Sequence, residues 1–289
     1  MLESQVYLAP AKVNLFLHVG APADDGFHPI CSGMVFCDYG DLVALSSSPG
    51  LSVSGPFSGH LDSGGVNLVD RAMSALADRL PPGVGLTLEK RLPVAAGLGG
   101  GSSDAGAALR LLRANFVPEL SDEELEDIAA SLGSDGAACL WGRSVLAQGR
   151  GERLSPWPSM PTLYGVLVNP RVEISTAKVY RRFDEMAVFS DCTPPEMPSG
   201  FQGASVIAGW LRNLRNDLQA PALSLAPVIE TVLNALQSAD GVLLARMSGS
   251  GATCFAICED EAASDRLAGA MGRAYPAWWV QACRLACPS

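Results

Sequence analysis

Four glycines fall within five positions, Gly97, Gly99, Gly100 and Gly101, and two hydroxyls follow them, Ser102 and Ser103. Residues without a Cβ let backbone N–H groups converge on one point and let an anion come close. Before the glycines, residues 84–90 alternate as a strand does; after them, the Ala/Leu-rich run 104–115 reads as a helix. A helix in that position aims roughly half a positive charge at the loop. The chemistry on offer is phosphate binding, with both serines available to phosphate oxygens or to Mg²⁺. The competing reading is a flexible turn ahead of a helix. The run is not Gly-x-x-x-x-Gly-Lys-Ser/Thr, and Ser102 stands where a dinucleotide fingerprint needs its last glycine.

Other polar residues stand out singly. Lys12 interrupts an apolar, strand-like stretch; taken alone, a lysine beside Pro10-Ala11 reads as a solvated surface residue. Asn14, two positions on, shares its face of the strand. Asp135 lies in Leu132-Gly133-Ser134-Asp135-Gly136, just past a helix, and alone reads as the N-cap of the next one. His18 and His60 read as surface or edge residues without a role. The eight cysteines contain no Cys-x-x-Cys pair, so they read as structural thiols rather than a zinc site.

The elements that must position these residues fit a mixed chain. The length of 289 residues gives a soft expectation of two domains, and 48% hydrophobic with 17% charged residues supplies a real core. A net charge of −10 argues against a protein that coats nucleic acid or an anionic membrane. A phosphate site must then be built locally. No basic leader or long apolar run is visible, so a reducing cytoplasm is the expected setting. Strands are expected at 6–8 and 14–19 around Pro10, at 42–45 and at 51–53, with a helix over 67–80. Ser121 and Glu124 form a capping-box pattern that opens a further helix, which Gly133 closes. Pro156, Pro158 and Pro161 mark the domain boundary, giving domains 1–158 and 159–289. Beyond it, strands are expected at 163–168, 242–247, 252–258 and 278–285, and helices at 176–183, 205–214, 227–237 and 260–273. The Pro/Ser/Gly-rich stretch 190–203 reads as a mobile surface loop.

The run from Pro93 to Ala105, Pro-Val-Ala-Ala-Gly-Leu-Gly-Gly-Gly-Ser-Ser-Asp-Ala, resembles the central signature of the GHMP kinases. Two more of that family's signatures stand in the right order, Pro10-Ala11-Lys12-Val13-Asn14-Leu15 and Met247-Ser248-Gly249-Ser250-Gly251-Ala252-Thr253. Asp24-Asp25-Gly26-Phe27-His28, Asp38-Tyr39-Gly40-Asp41, Lys90-Arg91-Leu92-Pro93 and Asn216-Asp217-Leu218 are similar to elements of the members that phosphorylate a cytidine-diphosphate sugar alcohol in non-mevalonate isoprenoid precursor synthesis. The resemblance implies an α/β (α+β) fold of two domains: a first with a left-handed βαβ crossover and a second built as a ferredoxin-like sandwich, with the active site in the cleft between them.

It also implies roles. Lys12 and Asp135 are the catalytic pair. Pro93, Gly97, Gly99, Gly100, Gly101, Ser102 and Ser103 hold the ATP phosphates; Asn67, Leu68 and Lys90 lie around the adenine; Ser103 contacts Mg²⁺. Asn14 and Thr176 touch the acceptor, Phe27 and Tyr180 stack on its cytosine, and His28 hydrogen-bonds the base edge. Asp217 is a second-tier candidate, and Gly249, Ser250 and Gly251 form a tight turn that closes on the ATP loop. The expected partners are these small molecules, with no nucleic acid or membrane, in a monomer or weak homodimer. Rival readings are a homoserine- or mevalonate-type kinase of the same family and a non-catalytic ligand sensor; retention of both Lys12 and Asp135 argues against the sensor. The chain departs from the family's usual residues at Gly136-Ala137, where Val-Pro is common, and at Phe27, where Tyr is common.

Overall fold

The structure is a computed structural model and describes residues 5–60, 67–157, 160–189, 191–196, 198 and 201–286. Contacts group the chain into two compact units that interleave: 1–12, 39–94 and 99–142 in the first; 13–38, 95–98 and 143–289 in the second. Two long strands contribute to both. β1 (Val6–Val19) runs straight through Pro10, so the two strands expected there are one. β2 (Ile30–Ser46) is 17 residues long, although only residues 42–45 show a strand pattern in the sequence. Its earlier half is buried on both faces, so it lacks the alternation of a half-buried strand. Gly40 is required where β2 meets β1, because a Cβ there would overlap the Ala9 carbonyl.

In the first unit β3 (Gly50–Ser54) lies parallel to β4 (Gly85–Glu89), and α1 (Leu68–Ala75) connects them. β4 also pairs antiparallel with the later half of β2. α1 ends earlier than its apolar periodicity suggests, and a 3-10 turn over Ala77–Arg79 replaces its last turn. α2 (Gly100–Phe116) starts directly in the glycine run, four residues before the expected position 104. α3 (Asp122–Leu132) carries the expected capping box: Glu124 N–H donates to Ser121 Oγ and Ser121 N–H to Glu124 Oε2, both at 3.1 Å. α4 (Gly136–Trp141) follows. The core of this unit gathers Leu86 and Leu88 of β4 with Leu109 and Leu112 of α2, Leu125 of α3 and Leu140 of α4.

In the second unit β5 (Val145–Gly149) and β6 (Arg153–Pro156) form a hairpin, and β5 pairs with the earlier half of β2. Then come β7 (Leu163–Asn169), α5 (Thr176–Met186), α6 (Ala204–Leu211), α7 (Gln219–Leu225), α8 (Val228–Gln237), β8 (Val242–Met247), β9 (Cys254–Cys258), α9 (Glu261–Ala274) and β10 (Trp279–Leu285). Their strands order as β10-β7-β9-β8, all antiparallel. That is the strand order of a split βαβ sandwich, the ferredoxin-like arrangement expected for this part. The reading of 190–203 as a mobile loop falls partly outside the described residues.

His18 departs from expectation. It is 4% exposed, packed against the Phe16 ring on the buried face of β1. Burial, and then the Arg215 guanidinium, push its pKa down to about 4. None of the described cysteines is in a disulfide, and all but Cys192 are buried.

Candidate active site

The candidate catalytic pair assembles in the first unit from positions far apart in sequence. Lys12 Nζ lies 3.0 Å from Asp135 Oδ2. Asp135 occupies the N-cap position of α4 but makes no side-chain capping bond, so its carboxylate is turned to Lys12 instead. The Lys12 side chain is 5% exposed and that of Asp135 28%, which leaves the carboxylate as the member open to a ligand. Gly136 is what brings α4 this close to α3: a Cβ there would overlap the Ala129 carbonyl. The Val-Pro common at Gly136-Ala137 in the family therefore does not fit this backbone, while the Asp135 carboxylate keeps its partner.

The start of α2 stands beside this pair. Gly99 caps α2 in the left-handed region, φ +64°, with no side-chain capping bond. The N–H groups of Gly100, Gly101 and Ser102 therefore open the helix without an intrahelical acceptor, as a helix N-terminus does. A Cβ on Gly99 would stand 3.1 Å from Lys12 Cε, so the lysine packs against the loop itself. Leu68 borders Gly101, and Asn67 Oδ1 caps α1 by accepting Val69 N–H at 2.8 Å. Ser103 Oγ is buried without a conventional hydrogen-bond partner. Beside it, burial pushes the Cys139 thiol up to about 12. Pro93 is buried at the loop's start. The Lys90 ammonium is buried between Asp41 and Asp104.

The second unit holds the other half of the glycine run and the candidate acceptor residues. Gly97, at φ +74°, sits against the third motif: Ser248 Oγ donates to the Gly97 carbonyl at 2.9 Å, and Thr253 N–H to the Ala96 carbonyl at 3.2 Å. Asn14 is buried; its N–H donates to Ser248 Oγ at 3.1 Å and its Nδ2 to Ser32 Oγ at 2.7 Å. Thr176 Oγ1 and Ser250 Oγ are 2.9 Å apart. Asp217 ties down β1, accepting Val19 N–H at 2.8 Å, and Asn216 Nδ2 holds the third motif through the carbonyls of Met247 and Gly249, both at 2.8 Å.

Three aromatic rings surround His28: Tyr180 at 5.3 Å, Phe183 at 5.6 Å and Phe189 at 6.4 Å between centroids. His28 Nδ1 meets the Gly20 carbonyl at 2.9 Å and Nε2 meets Asp184 Oδ1 at 3.0 Å. Phe27 is 56% exposed. The Arg150 guanidinium lies 4.3 Å from its centroid and pairs with Asp25, whose carboxylate also accepts Phe27 N–H at 3.0 Å. Arg150 and Asp184 carry no sequence signal of a role, and Ser248 stands in the third motif without a role of its own; the fold brings them to these partners.

An uncapped helix start preceded by a glycine run, beside a lysine–aspartate pair, is the equipment of a small-molecule phosphotransferase. Family models name its class: "GHMP kinases N terminal domain" matches residues 67–143 and "GHMP kinases C terminal" matches 205–277. The chain is 52% identical to the 4-diphosphocytidyl-2-C-methyl-D-erythritol kinase of Caulobacter sp. (strain K31), covering 97% of this chain and 98% of that one. It is 53% identical to the protein of the same name from Caulobacter vibrioides (strain NA1000 / CB15N), over 96% and 98%. A crystal structure of 4-(cytidine 5'-diphospho)-2C-methyl-D-erythritol kinase superposes with a TM-score of 0.79 at 33% identity, over 98% and 100%. Homoserine kinase from Cytophaga hutchinsonii, at 19% identity and a TM-score of 0.66 over 98% and 95%, shares the fold. The chain belongs to the 4-diphosphocytidyl-2-C-methyl-D-erythritol kinase family of the GHMP kinases.

Proposed function

We propose that the protein transfers the γ-phosphoryl group of ATP to the 2-hydroxyl of 4-diphosphocytidyl-2-C-methyl-D-erythritol, giving the 2-phosphate and ADP. The observation that carries this reading is the 3.0 Å Lys12–Asp135 pair packed against the first residues of α2. Asp135 accepts the proton of the acceptor hydroxyl; the new O–P bond forms as the bond from phosphorus to the ADP oxygen breaks, and ADP leaves with that electron pair. Lys12 orients the carboxylate and stabilises charge on the phosphoryl oxygens. In most analyses the transition state is loose, so positioning and charge stabilisation supply the catalysis. Gly97 and Gly99 to Ser103 hold the phosphates, with Pro93 setting the loop's entry; Asn67 and Leu68 flank the adenine. Lys90 is assigned to the architecture of the loop.

Mg²⁺ fits the donors in a limited way. No group of three His, Cys, Asp or Glu side chains that could hold a cation stands among the described residues, and Ser103 Oγ is a buried oxygen without a partner. The ion would be bound mainly by the nucleotide's phosphates, with Ser103 as its protein ligand, and would neutralise their charge.

On the acceptor side, Phe27 and Tyr180 stack on cytosine, His28 reads its edge, and Asn14 and Thr176 position the sugar alcohol. Stacking on an aromatic ring contributes about 1–3 kcal/mol per base. Phe27→Ala therefore raises KM for the cytidylyl substrate roughly 5- to 150-fold and leaves KM for ATP unchanged. Equal effects on both constants would count against the cytosine role.

The test of the whole reading is ADP release with the cytidylyl substrate beside uncytidylated methylerythritol phosphate, homoserine and mevalonate. Turnover with only the first supports it; turnover with another acceptor, or ATP binding without any turnover, refutes it. Residues 1–158 and 159–289 are read as the family's two modules; the family models over 67–143 and 205–277 support that reading. A cytoplasmic monomer or weak homodimer completes the reading; no described helix is long and apolar enough to cross a membrane.

A further inference from the structure

Behind the first turn of α2 lies a buried group of three charged side chains that the transfer reaction does not use. Asp41 lies near the middle of β2, Lys90 just past the end of β4, and Asp104 on the second turn of α2. All three are nearly inaccessible. Asp41 is saturated with donors: Oδ1 accepts the N–H groups of Arg91, at 2.5 Å, and Leu92, at 2.8 Å, while Oδ2 pairs with Lys90 Nζ. The same ammonium reaches Asp104 Oδ2 at 2.7 Å. A Cβ placed on Gly100, the first residue of α2, would stand 3.5 Å from Lys90 Nζ and 3.7 Å from Asp41 Oδ2. The group therefore sits directly under the residues that open the anion-binding helix.

We propose that Asp41, Lys90 and Asp104 are positioning residues for ATP: Asp41 fixes the chain as it leaves β4, Lys90 ties that point to α2, and the amides of Gly99 to Ser102 are thereby held ready for the phosphates. This rests on the reading of ATP as donor. The two carboxylates do different work. Asp41 uses both oxygens, Oδ1 for two backbone N–H groups and Oδ2 for the ammonium, so asparagine there replaces one of the two acceptors with an N–H₂ donor. Asp104 meets the ammonium through Oδ2; asparagine keeps an oxygen for that contact and alanine keeps none.

The experiment measures KM for ATP and for the acceptor, the Kd of a nonhydrolysable ATP analogue, and the melting temperature, in wild type, Asp41→Asn, Asp104→Asn and Asp104→Ala. Expected is a rise of at least about tenfold in KM and Kd for the nucleotide in Asp41→Asn and Asp104→Ala, with acceptor KM within about twofold. Asp104→Asn stays within about threefold of wild type in every constant. Equal changes in both substrates' KM, or melting changes with no change in nucleotide Kd, assign the group to stability alone and overturn the proposal. So does an Asp104→Asn variant as impaired as Asp104→Ala. Should Asp41→Asn fail to fold, the Asp104→Asn and Asp104→Ala comparison decides by itself. A wild-type protein that does not bind the analogue would instead sink the donor assignment.

Discussion

Lys12→Ala and Asp135→Asn each lower kcat by at least about 100-fold, because removing one well-aimed polar group from such a site costs about 2.7–4 kcal/mol of transition-state stabilisation. The geometry makes these clean substitutions. Asp135 makes no side-chain capping bond, so asparagine takes nothing from the start of α4, and the change removes only the charge and the basic oxygen. Asp135→Asn therefore melts close to wild type while losing turnover. Lys12→Ala also deletes a buried stem, since the side chain is 5% exposed, and Lys12→Met separates the loss of packing from the loss of charge. Steady-state ADP release and thermal melting decide the matter. Near-normal kcat in both Lys12→Met and Asp135→Asn would sink the pairing as the catalytic centre.

Gly97→Ala has the second large effect. The residue lies at φ +74°, and a Cβ there would overlap the Ser248 carbonyl and stand 2.9 Å from the Gly251 carbonyl. Both neighbours are backbone, so neither can swing aside. The left-handed conformation costs a non-glycine residue about 1–2 kcal/mol, and relief of the overlap brings the total to about 2–4 kcal/mol. The melting temperature falls by several degrees, at about 2–4 °C per kcal/mol for a chain of this order. KM for ATP rises by more than about tenfold as the amide cradle shifts. Gly50→Ala is the control: Gly50 has φ +82° but nothing within 4 Å of its Cβ position, so it shows only the conformational cost and no change in KM. If the two variants melt alike and bind ATP alike, contact with the third motif does not shape the loop.

The glycine run was legible because its composition carries the mechanism: positive φ and close approach are what glycine supplies, and a strand and a helix flank it. The capping box of α3 was legible for the same reason, since its signal is local. The Lys12–Asp135 pair was not. Nothing in spacing joins two residues 123 positions apart by number, and only the family resemblance suggested them together. Most of β2 was missed because a strand buried on both faces loses its alternation and because Gly33 and Gly40 look like punctuation. The hairpin of β5 and β6 and the helix α4 are too short for periodicity to show. His18 is polar by type, yet the apolar run that carries it takes it into the core. The environment of Lys90 is not legible locally, because Asp41 and Asp104 arrive from another strand and from the next helix.

The changeover between compact units at residue 98 to 99 falls inside the glycine run, and two further changeovers fall within β1 and β2. No single cut of the polypeptide frees either unit whole. A fragment ending at residue 158 would carry segments 13–38 and 95–98 stripped of the body they pack into. Gene halves made from this protein should therefore yield insoluble products apart and recover activity only when produced together, and shuffling of its halves between relatives is constrained to pairs that already match.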